Sequence, residues 1–397
     1  GAAGGGGSSA SGGNAASGGK AGGGAGNGGA GAGGGGAAGA GAAGQSGAGA
    51  GPTGTPVVYV GGYSQGNAVY PFATYDLDKT TGALTRRANT VDAGRSPTYI
   101  AVAPSRRFLY VANEADDASG GVTALAIGDG GALTPLNHQT GSDGGLVHLA
   151  VSPDGQYVVA ASYNGGSASV FPIMSDGSLG AEISNRDFGQ NAQTHCIAFD
   201  ASGSHLFVPN KGNDEIALLL LGEDGMLSPN TPAAVPAADG AGPRHVALAP
   251  GGTLAFVIDE LDSTMTPYTV SSSGVLAAGS SVSTLPAGFS GQNSGAHVEV
   301  SPDGRFVYGS NRGHDSIVVF SAAAATGALA LVEHEPSGGN TPRDFDMDPQ
   351  GEVLVVANQN SNSLKVFRIG DDGALTPLGS GASGQQSAAA VQIVYLP

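Results

Sequence analysis

The chain has 397 residues, is only 12% charged, contains one cysteine and no Trp, and carries a formal net charge of −17. That acidic balance argues against nucleic acid and anionic lipid as partners. The lone Cys196 rules out an internal disulfide, and the missing Trp rules out a repeat built on a Trp-Asp signature.

Residues 1–54 are almost entirely Gly, Ala, Ser and Asn, with Lys20 as the only charged side chain and no Leu, Ile, Val or aromatic residue. Such a segment has too little apolar area to offset the entropy of ordering, so a disordered, flexible tether is expected. Its glycines do not follow the Gly-X-Y period of collagen. A Gly in place of an initial Met is read as a trimmed N-terminus. A long tether suits a protein held outside the cytoplasm or at a surface, the alternative being a cytoplasmic one. No run of residues is apolar and long enough to suggest a membrane span.

Residues 55–397 are expected to form one large domain. The segment Val57-Val-Tyr-Val-Gly-Gly-Tyr63 reads as a strand, with further strands around Thr74–Leu77 and Leu84–Val91. A phrase then recurs six times: apolar strand, tight turn, apolar strand, polar pair. Its turns fall at Pro104, Pro153, Ala201, Pro250, Pro302 and Pro349, in steps of 49, 48, 49, 52 and 47 residues. The fifth copy resolves into four strands, His297–Ser301, Arg305–Ser310, Ser316–Ser321 and Ala328–Glu333, with Pro302-Asp303-Gly304 as the first turn. Four short strands per 40–50-residue repeat define a β-propeller blade.

The N-terminal strand matches the second strand of a repeat, and its missing first strand is found at the other end, in Val391-Gln-Ile-Val-Tyr-Leu-Pro397. The expectation is therefore an all-β, seven-bladed β-propeller with one blade closed by both termini, since closure removes exposed sheet edges.

In a propeller the residues just before strand one and just after strand two crowd the same mouth of the central channel. Six residues before each turn stand Thr98, Val147, His195, Arg244, Ala296 and Arg343. Five before stand Tyr99, His148, Cys196, His245, His297 and Asp344. Ten after stand Glu114, Tyr163, Lys211, Glu260, Arg312 and Gln359, with Tyr63 from the shared blade. Asn113, Asn210, Asn311 and Asn358 read as turn formers and caps, and a single mouth arginine reads as a bridge between blades. Convergence of several titratable types makes this mouth the candidate site.

The runs Gly242-Pro-Arg-His245, Asp259-Glu-Leu-Asp-Ser-Thr264, Ser301-Pro-Asp-Gly-Arg-Phe-Val-Tyr308, Ser310-Asn-Arg-Gly-His-Asp-Ser-Ile317, Thr341-Pro-Arg343 and Ala357-Asn-Gln359 together give a resemblance. From about residue 56 to 397 the chain resembles the lactonase-type seven-bladed β-propellers. These include propeller-type 6-phosphogluconolactonases and fungal carboxymuconate lactonizing enzymes. The resemblance implies a lactone hydrolase acting on a small sugar-type lactone, with His195, Arg244 and Glu260 as catalytic residues. Two positions depart from the pattern. Gln193 stands where the first histidine of a His-x-His run is expected, and His297 stands where a glutamate is expected.

Lactone opening requires an activated water, a stabilised oxyanion and a proton for the leaving alkoxide. His195 suits acid–base work near neutral pH, and Arg244 suits an oxyanion or carboxylate. Glu260 would hold His195 or Arg244, or relay the proton. Lys211, His245, His297, Arg312, Arg343 and Gln359 are assigned to substrate binding, the cations among them to a phosphate or carboxylate tail. No P-loop, Rossmann fingerprint or nucleophile elbow is present, and no tight His-x-x-x-His spacing supports a metal site, so neither cofactor nor metal is expected. A monomer is expected. The competing readings are a non-catalytic extracytoplasmic binding propeller and a muconate-type cycloisomerase.

Overall fold

A computed structural model describes residues 54, 56–64, 72–88 and 91–396. The first 53 residues, read above as most of the tether, and Pro397 lie outside the described residues.

Seven antiparallel sheets follow one another along the described chain, six of four strands and one with a short fifth strand. No α-helix occurs among the described residues, only two single 3-10 turns. In each sheet the strands stand in sequence order, joined by tight turns, except in the blade that closes the ring. There Ala388–Val394 pairs with Val57–Gly62, which pairs with Ala73–Asp78 and then Ala83–Arg86. The register sets Val57 against Val394 and Val60 against Val391. Both chain ends thus build one blade, as the sequence implied.

The closing strand begins three residues earlier than the apolar pattern suggested. Ala388 and Ala390 pair with Gly62 and Gly61 across a bulge. Small residues on both strands carry little β signal, yet their backbones come close enough to extend the ladder. The fifth repeat shows a related shift. Its strands are Ser294–Val300, Phe306–Arg312, Ser316–Ala322 and Leu329–Pro336. The first two run further toward the mouth because a bulge between Gly295 and Val298 keeps them paired.

The hydrophobic core lies between blades. Where the last full blade meets the closing blade, Val58, Tyr75, Val353, Val366 and Ile393 form one buried cluster. Burying each such side chain stabilises by roughly 1.5–3 kcal/mol. A repeated tyrosine adds a polar tie. Tyr59, Tyr110 and Tyr308 are fully buried and donate their hydroxyls to the carbonyls of Gly131, Gly177 and Gly373, at 2.9, 3.1 and 2.9 Å. Each hydroxyl is satisfied by a turn some 65 to 72 residues further on, so the tie joins neighbouring blades.

Candidate active site

A repeated backbone device builds the mouth. In five blades the residue eight before the turn position lies in the left-handed region: Ser96, Gly145, Gln193, Gly242 and Thr341, with φ between 45° and 65°. In four of them its carbonyl accepts the amide of the residue just past strand two. Glu114 N donates to Ser96 O, Tyr163 N to Gly145 O, Glu260 N to Gly242 O and Gln359 N to Thr341 O, at 2.8–3.0 Å. The next residues on strand one break register. The shift spans Pro243/His245 and Pro342/Asp344, and equally Pro97/Tyr99 and Leu146/His148. Arg244 and Arg343 are the bulged residues. A bulge releases its extra residue from the pleat and re-aims the side chain, a common device at active sites.

Two glycines make the approach possible. A Cβ on Gly242 would stand 2.6 Å from Leu261 Cγ, and one on Gly295 would stand 2.5 Å from the carbonyl oxygen of Asp259. Either would push the Glu260 segment out of place.

Glu260 is the hub. Its Oε1 accepts Lys211 Nζ at 3.0 Å, and its Oε2 lies 3.0 Å from Arg244 Nε and 3.1 Å from an Arg312 Nη. Arg244 Nε is out of line for a hydrogen bond, so that contact is an ion pair. Burial works to raise the Glu260 pKa, but Arg244, Arg312 and Lys211 outweigh it and hold the carboxyl at about 2. Arg244 is 2% exposed and gives an Nη1 proton to Ala296 O. Burial, then repulsion from Arg312 and Arg343, lower it to about 9, so it stays charged at neutral pH. Arg312 donates to Gly295 O at 2.9 Å.

A second pairing holds Arg343. Its Nη2 donates to Tyr63 Oη at 2.5 Å, and that hydroxyl donates to Glu114 Oε2 at 2.6 Å. The guanidinium carbon lies 5.0 Å from the Tyr63 ring centroid. Lys211 Nζ is similarly placed 5.1 Å from the Tyr163 ring centroid.

His195 stands beside Tyr163, ring centroids 5.7 Å apart and nearly perpendicular. It is 4% exposed, and its Nδ1 has no hydrogen-bond partner among the described residues. Burial, followed by the Arg244 and Arg343 charges, pushes its pKa well below the ordinary value, so the imidazole is neutral at neutral pH. The sequence left two partners open for Glu260. The structure pairs it with Arg244, Lys211 and Arg312, and among the described residues it makes no ion pair with His195.

The structure thus brings His195, Arg244, Glu260, Lys211, Arg312 and Arg343 to one mouth. Gln359 is half-buried and tied to the same rim by its backbone. His245 and His297 sit deeper, 4% and 3% exposed, and touch each other through their Nδ1 atoms at 2.9 Å. The four asparagines read as caps are fully buried. Asn113 donates to the carbonyls of Ala93 and Arg95, Asn311 to that of Thr284 and Asn358 to that of Ser337, pinning the loops that enter each mouth segment.

Two buried carboxylates near this site were not singled out from the sequence. Glu299 and Asp346 are buried in the channel wall, three residues before their turns, where four other repeats place Ala101, Ala150, Ala198 and Ala247. A charge at a position otherwise filled by alanine was the available signal. Among the described residues no group of three or more His, Cys, Asp or Glu is arranged to hold a metal ion, and no helix is long and apolar enough to cross a membrane.

A family model described as "Lactonase, 7-bladed beta-propeller" matches residues 57–392. A Bacillus subtilis protein named 6-phosphogluconolactonase is 34% identical over 338 residues, covering 82% of this chain and 95% of the relative. A protein of the same name from Erwinia tasmaniensis is 34% identical over 305 residues, covering 77% and 90%. The solved structure of the Pseudomonas aeruginosa periplasmic gluconolactonase superposes with a TM-score of 0.79 at 27% identity, covering 87% of this chain and all of that one.

Proposed function

The chain belongs to the seven-bladed β-propeller lactonase family, and on that premise we propose that it hydrolyses sugar-type lactones bearing an anionic group, at the cationic mouth of its channel. One observation carries the substrate class. Among the described residues four cations, Lys211, Arg244, Arg312 and Arg343, make ion pairs with only two carboxylates, Glu260 and Glu114, and Asp344 is a third negative group acting on Arg343 and Arg244. In a chain of net charge −17 this local excess of positive charge attracts a phosphate or carboxylate. The B. subtilis 6-phosphogluconolactonase supports a phosphorylated lactone, and the P. aeruginosa gluconolactonase supports an unphosphorylated one.

The chemistry follows from the protonation states. Neutral His195 takes a proton from water as the water oxygen bonds to the lactone carbonyl carbon. The carbonyl oxygen becomes an oxyanion, which the Arg244 guanidinium stabilises in a nearly dry site. When the tetrahedral intermediate collapses, the acyl–oxygen bond breaks and the ring oxygen takes the proton. Water is added across the ester, and the enzyme returns to its starting state. Glu260 stays ionised throughout and fixes Arg244 while offsetting its charge. Lys211, Arg312 and Arg343 hold the anionic tail. The Gly/Ala-rich segment is proposed to tether the domain outside the cytoplasm, a reading supported by the periplasmic P. aeruginosa relative.

The test is acid release on adding phosphorylated and neutral sugar lactones, with His195→Ala as control. The phosphorylated substrates are expected to be opened with the higher kcat/KM, and Arg343→Gln is expected to erase the preference. A preference for neutral lactones sinks the anionic assignment, and no turnover on any lactone sinks the hydrolase reading.

A further inference from the structure

The cationic mouth poses a problem for its own base. A proton on His195 creates an imidazolium beside Arg244 and Arg343, in a site with little water to screen it. Beneath it the channel wall holds a row of buried rings. His195 and His245 are 5.1 Å apart between centroids, and His245 and His297 are also 5.1 Å apart. His245 Nδ1 meets His297 Nδ1 at 2.9 Å. His297 is the one member of this row flanked by carboxylates, with Asp344 Oδ1 at 3.3 Å from its Nδ1 and Glu299 Oε1 at 3.4 Å from its Nε2.

We propose that His245 and His297 relay the catalytic proton from His195 away from the cationic mouth, so that the positive charge rests on His297 between Asp344 and Glu299 until the leaving alkoxide recovers the proton. The inference rests on the lactonase reading above.

Two unpartnered atoms support the link between the first two rings. His195 Nδ1 and His245 Nε2 are both buried with no hydrogen-bond partner among the described residues. A buried unpaired polar atom is costly and calls for an explanation. The relay requires one water bridging the two nitrogens, which would satisfy both. Each step then has a donor and an acceptor. His195 takes the proton on one nitrogen and releases one from Nδ1 through the water to His245 Nε2. His245 Nδ1 releases one to His297 Nδ1. His297, protonated on both nitrogens, donates to Asp344 and Glu299. The same path in reverse returns the proton, so no net charge is gained or lost.

Of the three rings, His297 is the one with acidic neighbours. From its own strand comes Glu299. From Pro342–Met347 come Asp344, Asp346 and the Phe345 ring, 4.8 Å away, and from Pro243–Leu248 come His245 and Arg244. Burial pushes the Glu299 and Asp346 pKa values up; the Asp344 charge raises Glu299 further against a hydrogen bond from Asp346 that lowers it, and the Glu299 and Asp344 charges raise Asp346 further. Burial and the Arg244 charge lower His297 as they lower the other rings, but at His297 Asp344 opposes them, whereas no carboxylate does so at His195 or His245.

The test uses the full chain and the variants His297→Gln and Glu299→Gln. Both are expected to lower kcat by about 10²-fold with KM unchanged. The proton inventory of kcat in mixed light and heavy water is expected to change from curved in the wild type to linear in the variants. NMR titration of the imidazole nitrogens is expected to show His297 protonating at higher pH than His195 and His245, and at lower pH in Glu299→Gln than in the wild type. Folded variants with wild-type kcat and a curved inventory overturn the relay and leave the hydrolase reading intact. If His297→Gln does not fold, Glu299→Gln decides. His195 titrating before His297 overturns the relay whatever the rates. A wild-type chain that opens no lactone overturns the hydrolase reading, and the catalytic role of the relay with it.

Discussion

Glu260 and Arg244 meet with Oε2 and Nε 3.0 Å apart, one residue past strand two of their blade and one on the bulge of strand one. The pair is short of ideal hydrogen-bond geometry because Glu260 also serves Lys211 and Arg312. One carboxylate among three largely buried cations is an electrostatic keystone, and removing its charge leaves all three uncompensated.

Glu260→Gln is therefore expected to lower kcat by on the order of 10²-fold and to destabilise the fold by about 2–3 kcal/mol. Arg244→Lys is not expected to restore Arg244→Ala, because an ammonium cannot both reach Ala296 O and present a planar fork. Steady-state kinetics and thermal melts check both. Wild-type turnover in either variant removes it from the reaction.

Stability should depend on pH through the same carboxylate. Its folded pKa of about 2 lies below its ordinary value of 4.5, so its contribution is present above pH 4.5 and is lost as pH falls toward 2. Glu260→Gln is expected to flatten that part of the acid unfolding profile. An unchanged acid limb would show that the ion cluster adds nothing to folding.

The rate profile should reflect His195. The sequence placed its pKa near neutrality, but burial and the Arg244 and Arg343 charges move it well below 6.5. Enzyme-dependent lactone opening is therefore expected to be flat from pH 6.5 to 8, with its acid limb lower still. A limb centred at or above neutrality would mean that another group, or a differently charged His195, governs the step.

Asp259 carries a latent instability. It is 2% exposed, accepts Thr264 and Thr266 hydroxyls on Oδ2 at 3.0 Å each, and leaves Oδ1 without a partner among the described residues. Burial raises its pKa to about 7. A carboxyl raised on folding stabilises at low pH, and that contribution is lost as pH rises through about 7. Asp259→Asn should raise the melting temperature at pH 8, by about 1–2 kcal/mol of stability, and much less at pH 4. An equal effect at both values would point to packing instead.

Closure of the ring should be indispensable. The strand Ala388–Val394 is bound to its neighbour blade as well as to its own, since Val391 N donates to Asp344 Oδ2 at 2.9 Å and Ile393 N to Asp346 Oδ2 at 2.5 Å. Deleting residues 388–397 removes that strand and exposes the edge of Val57–Gly62. Aggregation or loss of a cooperative melt is expected. A truncated chain that melts like the full one would mean that the ring does not need its closing strand.

The repeat was legible because a blade is a local unit. Pro302, Asp303 and Gly304 make a turn whose hydrogen bonds all lie within five residues, Arg305 N to Asp303 Oδ1 and Gly304 N to Ser301 O among them. Period-2 alternation on either side needs no distant information. Counting strands then fixed the seven blades and the shared one, and strand direction placed His195, Arg244 and Glu260 at one mouth. What depended on tertiary structure was which charges face each other. Glu260 could have held His195 or Arg244, and only the bulge at Arg244 and the Gly242 carbonyl beneath Glu260 bring the carboxylate to the guanidinium. Likewise His297 read as a substrate contact, but packing buries it between Asp344 and Glu299. A bulge is one unpaired residue with no composition of its own, and a pKa is set by neighbours from other blades, some 50 residues away. Neither is written in the local pattern from which strands and repeats are read.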